Sequence, residues 1–483
     1  MGSIPTYSRQ KMNMERNMDS NLLRKLPKVD DLLKAQPVAD FSGELPHEVI
    51  TDSVRKVLDR KRERILAGSE AFDESFVAYD NVVDEVVTVL NFCKINSLRR
   101  VINGTGVVLH TNLGRANLSK AAAAAVAAVA DRYSTLEYDP ETGKRGSRHT
   151  HVEEVIKKVT GAEAAMVVNN NAAATMICLA TMGAGKEVIV SRGELVEIGG
   201  SFRVPEIMSQ SGAILAEIGT TNKTKISDYE KRITENTGAL LKVHTSNYKV
   251  IGFTEEATIA QLRELGDKYG LPVIYDMGSG LMVDLTAYGI EEPTVKDAFA
   301  QGADVVLFSG DKLLGGAQGG VLAGKKEFID KMKKHPLARI LRVDKMTLAA
   351  MEATFKAYYN EEQAKKEIPV LAMLTRSEED LKKAAQSLKR AIQRKNAGYE
   401  ITIGKDKGMV GGGSAPSSFI DNIILKITHK DFTSQNLAAA LRRGELPIVG
   451  RIHEDQFVLD VRTIFADEYQ MIADKMAAIA AGK

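Results

Sequence analysis

The sequence predicts an α/β protein whose main domain is a mostly parallel sheet with helices on both faces. Short apolar segments typical of buried strands alternate with helical segments between residues 164 and 323, as parallel sheets require. A chain of 483 residues also exceeds one ordinary core, so a large domain and one or two small domains are expected. The predicted strands are Ala164–Val168, Glu187–Ser191, Ala213–Ile218, Leu240–Val243, Val273–Tyr275, Val305–Phe308 and a returning strand Gly320–Ala323.

Composition and charge narrow the functional classes. The formal net charge of +2 indicates neither a nucleic-acid-binding nor a membrane-binding protein. No apolar run is long enough to span a bilayer and no secretory signal pattern opens the chain, so we expect a cytoplasmic protein. The two cysteines, Cys93 and Cys178, belong to no Cys/His cluster, and we predict neither a disulfide framework nor a metal site.

The pattern changes at both ends of the main domain. Residues 1–20 are polar and without periodicity, which predicts a disordered tail, and residues 21–70 predict a small helical module. A linker helix at residues 71–97 is expected to join this module to a core at residues 98–366. Strands and helices of a small α+β domain follow at residues 367–483.

One helix of the N-terminal module, predicted at Pro46–Leu66, is rich in positive charge. Between Arg55 and Arg64 it has six basic residues and two acidic residues. A solvated helix face is the commoner explanation of such a run, and a surface that contacts nucleic acid is the alternative.

The strand predicted at Val305–Phe308 is followed closely by a lysine. The chain continues as Ser309-Gly-Asp-Lys312 and then enters a glycine-rich loop. Burial at a strand end lowers the pKa of an amine and makes it a nucleophile or a Schiff-base former. We therefore interpret Lys312 as the lysine that binds pyridoxal 5'-phosphate (PLP) as an aldimine, with Ser309 as a ligand of a phosphate oxygen. A solvated lysine in a turn is the alternative.

A carboxylate ends the strand that precedes this one in the sequence. Asp276 follows Val273–Tyr275 and precedes Gly278. A carboxylate in this position pairs with the protonated pyridine nitrogen of PLP and keeps the ring electron-poor. An aspartate before a glycine is also an ordinary turn residue. Asp276 and Lys312 together favour a PLP site more strongly than either residue alone.

A third strand end predicts an anion site. The strand Ala164–Val168 is followed by three asparagines and a helix expected at residues 172–182. The N-terminus of a helix at the carboxyl end of a strand binds anions through its free N–H groups. We expect the backbone near Asn170, Asn171 and Ala172 to bind the phosphate of PLP.

Several longer motifs, taken as a set, resemble one family. LRKLPKVDDLL near residue 23 resembles the N-terminal tRNA-binding module of bacterial selenocysteine synthase, the L-seryl-tRNA(Sec) selenium transferase family. The other motifs occur in order up to about residue 465 and are INGTGVVLHTNLGR, EYDPETGKRGSR, VNNNAAAT, SRGELVEIGGSFR, EIGTTNKT, KVHTSNY, DMGSG, FSGDKLLGG and ELPIVGRI. Gly104 and Ala317 depart from the family pattern, which usually has alanine and proline there.

The resemblance implies a fold-type-I PLP enzyme that forms a ring-like homo-oligomer, a decamer built from dimers. It would convert seryl-tRNA(Sec) to selenocysteinyl-tRNA(Sec) with selenophosphate, through a PLP-bound aminoacrylyl intermediate. In this mechanism Lys312, once released, removes the α-proton while Asp276 keeps the ring electron-poor.

Such a reaction needs an anion site for selenophosphate beside the PLP. Arg339 and Arg342 are three residues apart after Pro336, which suits the first position of a helix, so the two arginines are expected to share one helical face. Arginine binds phosphate bidentately. The resemblance adds Arg115 to this site, with Thr220, Thr221 and Asn247 as polar partners.

Two other functions share part of this pattern. A PLP-dependent lyase or aminotransferase that acts on a free small amino acid or amino sugar would use Lys312 and Asp276 but would need no basic N-terminal helix. A tRNA-binding protein with an inactive PLP fold is the third possibility, and the presence of both residues argues against it.

Overall fold

The computed structural model describes residues 21–67, 72–199, 202–395 and 397–482. The tail predicted at residues 1–20 lies outside the described residues. The chain forms two compact units. One contains the described residues up to Ile102 together with Ala439–Ile448, and the other contains Asn103–Ala438 together with the residues from Val449 onward. No helix within the described ranges is both long and apolar enough to cross a membrane.

A seven-stranded sheet lies at the centre of the larger unit, and the predicted mostly parallel arrangement is confirmed. The strand order is β1-β7-β6-β5-β4-β2-β3, for β1 (Ala164–Val168), β2 (Glu187–Ser191), β3 (Ile214–Ile218), β4 (Thr237–Val243), β5 (Val273–Gly278), β6 (Val305–Ser309) and β7 (Gly320–Gly324). Only β7 runs against its neighbours, because it returns between β6 and β1. The carboxyl ends of the other strands therefore meet at one edge.

Helices pack on both faces of this sheet. The sheet has an apolar core on each face, and successive residues of β5 point to opposite faces. Tyr275 packs in one of these cores and Ile274 packs in the other. The helices of this unit are Lys120–Ala130, Thr150–Thr160, Asn171–Met182, Val204–Gln210, Ile226–Arg232, Ile259–Tyr269, Val295–Ala300, Lys326–Lys334, Leu337–Ile340, Lys345–Ala357, Glu361–Glu367, Pro369–Leu374, Glu378–Gln393 and Tyr469–Ala480. A further helix, Ser434–Arg442, crosses the boundary between the two units.

A second, antiparallel sheet forms the C-terminal part of the same unit. Its order is β8-β9-β11-β10, for β8 (Tyr399–Gly411), β9 (Ser414–His429), β10 (Arg451–His453) and β11 (Gln456–Asp460). The first two strands extend well beyond the predicted Tyr399–Ile403 and Asn422–Thr428. The outer half of this hairpin was missed because residues 404–408 are glycine, lysine and aspartate on a mostly solvated ribbon, without the apolar alternation that predicts a strand.

The smaller unit is helical, as predicted for its N-terminal part. Its main helices are Val29–Lys34, Gln36–Ala39, His47–Ala67 and Tyr79–Lys94, and they share one apolar core. The predicted linker helix begins only at Tyr79. Before it, the carboxylate of Asp73 accepts a hydrogen bond from the N–H of Ser75 (3.0 Å) and starts a separate 3-10 turn.

Five of the six basic residues between Arg55 and Arg64 fall into three groups, and the sixth, Arg64, lies over the rings of Phe72 and Phe76. Lys61 is buried, and its amine forms an ion pair with a glutamate of the neighbouring helix. Arg55 and Arg62 pair with aspartates one turn earlier. Lys56 and Arg60 are exposed and have no ion-pair partner in the part of the chain that the structure describes.

Candidate active site

Lys312 lies in the turn directly after β6, at the carboxyl edge of the sheet. Only 4% of the surface of Lys312 is exposed to solvent. Burial lowers the pKa of the Lys312 amine, and the positive charge of Arg115 is the second cause of this shift. The negative charges of Asp276, Asp311 and Glu292 partly oppose it. The amine is therefore more readily neutral than an ordinary lysine, and a neutral amine is a nucleophile.

Asp276 lies in the neighbouring strand β5 and is buried. Its two carboxylate oxygens each accept a hydrogen bond from one helix, from Asn171 Nδ2 and from Thr175 Oγ1, at 2.8 Å each. Burial raises the pKa of Asp276, and these two bonds and the charges of Lys312 and His244 act against the rise. Thr175 was not predicted, although it lies one turn after Asn171 on the same helix and so faces the same way.

Asn170 caps the helix that carries these two residues. Its side-chain oxygen accepts a hydrogen bond from the N–H of Ala173 (2.9 Å). A Cβ on Gly320 would lie 2.1 Å from the carbonyl oxygen of Asn170, so only glycine lets β7 pass this close to the helix start. The predicted helix N-terminus at Asn170, Asn171 and Ala172 is thus present at the carboxyl end of β1.

Arg115 reaches this edge of the sheet from a distant part of the sequence. Its guanidinium donates a hydrogen bond to Asp311 Oδ2 (2.8 Å), one residue before Lys312. The N–H of Ala116 also binds the carbonyl oxygen of Asp311 (3.2 Å). Asp311 was not predicted as a site residue, and its position beside Lys312 was the only signal in the sequence.

The residues around Lys312 and Asp276 fit a flat cofactor that has a ring nitrogen and a phosphate. Asn171 Oδ1 and Ser279 Oγ are buried without a hydrogen-bond partner among the described residues. Gly278 has a φ of +71°, and a Cβ there would lie 3.9 Å from Lys312 Nζ. The chain therefore leaves space and unpaired polar atoms next to a reactive amine and a buried carboxylate.

The prediction that Arg339 and Arg342 share one face of a helix is wrong. The helix is only Leu337–Ile340, so Pro336 precedes it as its N-cap and Arg342 lies beyond its end. The backbone of Arg342 instead pairs with Val168 at the end of β1. This pairing still places Arg342 next to the asparagines that follow β1. Both arginines are exposed, and neither has an ion-pair partner within the described ranges.

Two of the three polar residues predicted to accompany these arginines lie along a cavity of about 490 Å³. Thr220 and Thr221 line it, whereas the side chain of Asn247 donates a hydrogen bond to the carbonyl oxygen of Glu197 (2.8 Å). The same cavity is lined by His244 and Glu292, which were not among the predicted site residues. Ser309, the last residue of β6, is buried.

Comparisons with known proteins agree with this geometry. The family model of L-seryl-tRNA selenium transferase matches residues 101–465, and a model of the selenocysteine synthase N-terminal region matches residues 23–62. An L-seryl-tRNA(Sec) selenium transferase of Carboxydothermus hydrogenoformans is 52% identical over 448 residues, which are 92% of this chain and 95% of the relative. One of Clostridium botulinum (strain Okra / Type B1) is 50% identical over 455 residues, covering 94% of this chain and 98% of the relative.

A solved structure shares the fold. D-glucosaminate-6-phosphate ammonia-lyase aligns with a TM-score of 0.54 and 22% identity over 80% of this chain and 96% of its own. The larger unit has the fold of fold-type-I PLP-dependent enzymes. Since a family model spans most of the chain and relatives are about half identical along nearly all of it, the chain belongs to the L-seryl-tRNA selenium transferase family, PLP-dependent enzymes that convert seryl-tRNA(Sec) to selenocysteinyl-tRNA(Sec).

Proposed function

We propose that Lys312 and Asp276 hold PLP at the carboxyl edge of the sheet and that selenophosphate is the selenium donor. The observation that carries this proposal is the pairing of a desolvated amine with a buried carboxylate that two side chains of one helix keep in place. When bound, PLP supplies a positively charged ring system that takes up the electrons released at the α-carbon of the seryl group.

The chain's own residues would then move the protons. The carboxylate of Asp276 accepts a hydrogen bond from the protonated ring nitrogen, and Asn171 and Thr175 keep it oriented for this. The amine of Lys312 would hold the cofactor and would be free once the substrate is bound. The freed Nζ then removes the proton from the α-carbon, which the lowered pKa of Lys312 favours. The N–H groups near Asn170 and Ala172, with Ser309, bind the cofactor phosphate.

An anion site for selenophosphate would lie beside this centre. Arg115 is held by Asp311 next to Lys312, and the backbone of Arg342 is held beside β1. Arg339, Arg342, Thr220, Thr221 and Asn247 would complete the site by their match to the family motifs. Arginine suits this role because its fork of N–H groups matches a phosphate oxyanion bidentately.

The partners beyond the small molecules follow from the smaller unit and the family. Its N-terminal residues match the selenocysteine synthase N-terminal model, and its exposed Lys56 and Arg60 are free of acidic partners within the described residues, which suits contact with the phosphates of seryl-tRNA(Sec). We also propose that the enzyme is cytoplasmic and works as a homo-oligomer, a decamer built from dimers.

The visible absorbance of the purified holoenzyme tests this function. It should change on titration with seryl-tRNA(Sec) and not with free serine, and it should be absent in Lys312→Ala. A change with free serine but none with the charged tRNA would instead support a lyase or aminotransferase that acts on a free amino acid.

The double variant Arg339→Ala/Arg342→Ala tests the anion site separately. It should keep the absorbance of bound PLP, and its selenophosphate-dependent formation of selenocysteinyl-tRNA(Sec) should collapse. Unchanged selenium transfer would remove these arginines from the site.

A further inference from the structure

The proposed reaction needs a proton at the β-oxygen of the seryl group, and among the residues assigned so far only Lys312, once it carries the α-proton, has one to give. Replacement of the β-hydroxyl by selenium requires that the bond between the β-carbon and oxygen break. Hydroxide is a poor leaving group, so the oxygen must gain a proton as it leaves. Lys312 already removes the α-proton, and the arginines of the anion site do not give up protons in proteins.

A histidine and a glutamate that the mechanism has not used lie at the same edge. His244 directly follows β4, and its Nε2 is 3.1 Å from Glu292 Oε1. The Glu292 side chain is 2% exposed and that of His244 is 23% exposed. A buried carboxylate that binds one ring nitrogen of a histidine fixes the orientation of the ring and decides which face of it the other nitrogen presents. The other ring nitrogen, Nδ1, has no hydrogen-bond partner among the described residues.

Three contacts place this pair beside the reacting groups. The N–H of His244 donates to the carbonyl oxygen of Asp276 (2.8 Å), and the N–H of Ser246 binds the carbonyl of His244 (2.8 Å). Ser246 Oγ and Lys312 Nζ lie 3.7 and 3.9 Å from the position that a Cβ on Gly278 would take. The turn that carries His244 therefore borders the space next to the Lys312 amine.

The surroundings of the pair suit a substrate group. His244 and Glu292 line the cavity of about 490 Å³ that Thr220 and Thr221 also line.

Two other proton donors that line this cavity, Lys242 and Tyr248, are already engaged. The amine of Lys242 donates hydrogen bonds to Glu194 (2.9 Å) and Glu256 (3.0 Å). Burial acts to lower the pKa of Lys242, but the charges of the two glutamates outweigh it and raise the pKa. Lys242 is therefore a poor acid. The hydroxyl of Tyr248 donates to the carbonyl oxygen of Gly193. Of these three groups, only His244 has a polar side-chain atom, Nδ1, that is without a hydrogen-bond partner among the described residues.

We propose that His244, positioned by Glu292, donates the proton that lets the seryl β-hydroxyl leave as water. The bond from the β-carbon to oxygen breaks, the oxygen keeps the bonding electrons, and it takes the proton from the free ring nitrogen of the imidazolium. The neutral imidazole is then protonated again from solvent through the cavity that it lines. This inference rests on the proposed function, because it needs the seryl group at Lys312.

A change of leaving group tests the proton donor. Chloride leaves without a proton, so β-chloroalanyl-tRNA(Sec) should not need His244, whereas seryl-tRNA(Sec) should. In single turnovers His244→Gln is expected to lose about 10²-fold or more in rate with seryl-tRNA(Sec), the usual contribution of a general acid. With the chloro substrate its rate should stay within a few-fold of wild type. Glu292→Gln should show the same pattern with a smaller loss, and His453→Gln, an exposed histidine of the C-terminal sheet, should show none.

Two readouts separate this role from a structural one. The dissociation constant of PLP, followed by fluorescence, and the melting temperature should be unchanged in His244→Gln. Equal losses with both charged tRNAs, or a weakened PLP affinity that accounts for the loss, would overturn the proposal. Failure of the wild-type enzyme to act on either charged tRNA would instead refute the proposed function itself.

Discussion

Two aspartates of the larger unit are buried at the carboxyl ends of strands, and they are buried in different ways. Asp276 is 5% exposed and Asp460, the last residue of β11, is 0% exposed. Burial raises the pKa of both carboxyl groups. The same residue type, with its pKa shifted in the same direction by burial, thus occurs in the candidate active site and in the C-terminal sheet.

The chain itself supplies the partners of Asp460. Asn422 Nδ2 donates to Oδ2 (2.6 Å) and the N–H of Arg462 donates to Oδ1 (3.0 Å). The guanidinium of Arg462, whose pKa burial lowers to about 10, binds further carbonyl oxygens. A Cβ on Gly106 would lie 2.1 Å from Asp460 Oδ2, so the network has no space for a ligand.

The surroundings of Asp276 are left incomplete. Asn171 and Thr175 bind its oxygens, but Asn171 Oδ1 has no partner within the described residues, and the nearby cation, Lys312, has a lowered pKa. A Cβ on Gly278 would meet only Ser246 Oγ and Lys312 Nζ, at the ordinary contact distances of 3.7 and 3.9 Å. A buried carboxylate is a structural element where the chain supplies all its partners, and it points to a ligand where the chain leaves them open.

The largest effect that this comparison predicts is that of Asp276→Asn on catalysis. The amide keeps the shape of the side chain and removes the charge that would hold a protonated ring nitrogen. Formation of selenocysteinyl-tRNA(Sec) in single turnovers should fall by about 10²- to 10³-fold, the scale of a lost electrostatic contact in a buried site. The apo protein should not lose stability, because a neutral amide is less costly to bury than a carboxylate. Wild-type activity in this variant would show that the charge of Asp276 does not serve a ligand, and the contrast with Asp460 would not hold.

The sequence located Asp276 and Lys312 because both follow short apolar segments, and the ends of parallel strands are readable from local pattern. It did not reveal the network of Asp460, whose partner Asn422 belongs to another strand of an antiparallel sheet. Register across such a sheet depends on pairings far apart in the sequence.

The prediction for Arg339 and Arg342 failed for a related reason. Pro336 correctly marked a helix start, but the helix ends after four residues because the chain turns to pair Arg342 with Val168. This tertiary pairing has no local signature. Thr175, in contrast, could have been found, since it follows Asn171 by one helical turn.

The second prediction sharpens the comparison through stability. Asp460→Asn presents an amide N–H₂ to a pocket of hydrogen-bond donors. It also removes a buried negative charge that acts on Arg462 and pairs with Arg451 (3.9 Å). We expect a loss of about 3 kcal/mol in the free energy of unfolding, as when one partner of a buried ion pair is removed. Asp421→Asn on the same hairpin is the matched control, because Asp421 is 72% exposed, and it should change stability by less than about 0.5 kcal/mol. Denaturant unfolding measures both. Equal stability of the two variants would show that the network does not compensate Asp460.

The smallest effect is expected from a single hydrogen bond to Asp276. Thr175→Val preserves shape and removes the hydroxyl that donates to Asp276 Oδ2 (2.8 Å), so the carboxylate keeps only Asn171. A hydrogen bond to a charged group contributes about 1.5 kcal/mol, which corresponds to a roughly 10-fold weaker affinity for PLP. Thr181→Val on the same helix is the control, because its hydroxyl donates only to the carbonyl oxygen of Ile177 (2.7 Å). Fluorescence titration of the apo enzyme with PLP compares the two variants. If both lose affinity equally, the effect comes from the helix, and the orientation of Asp276 by Thr175 does not contribute to cofactor binding.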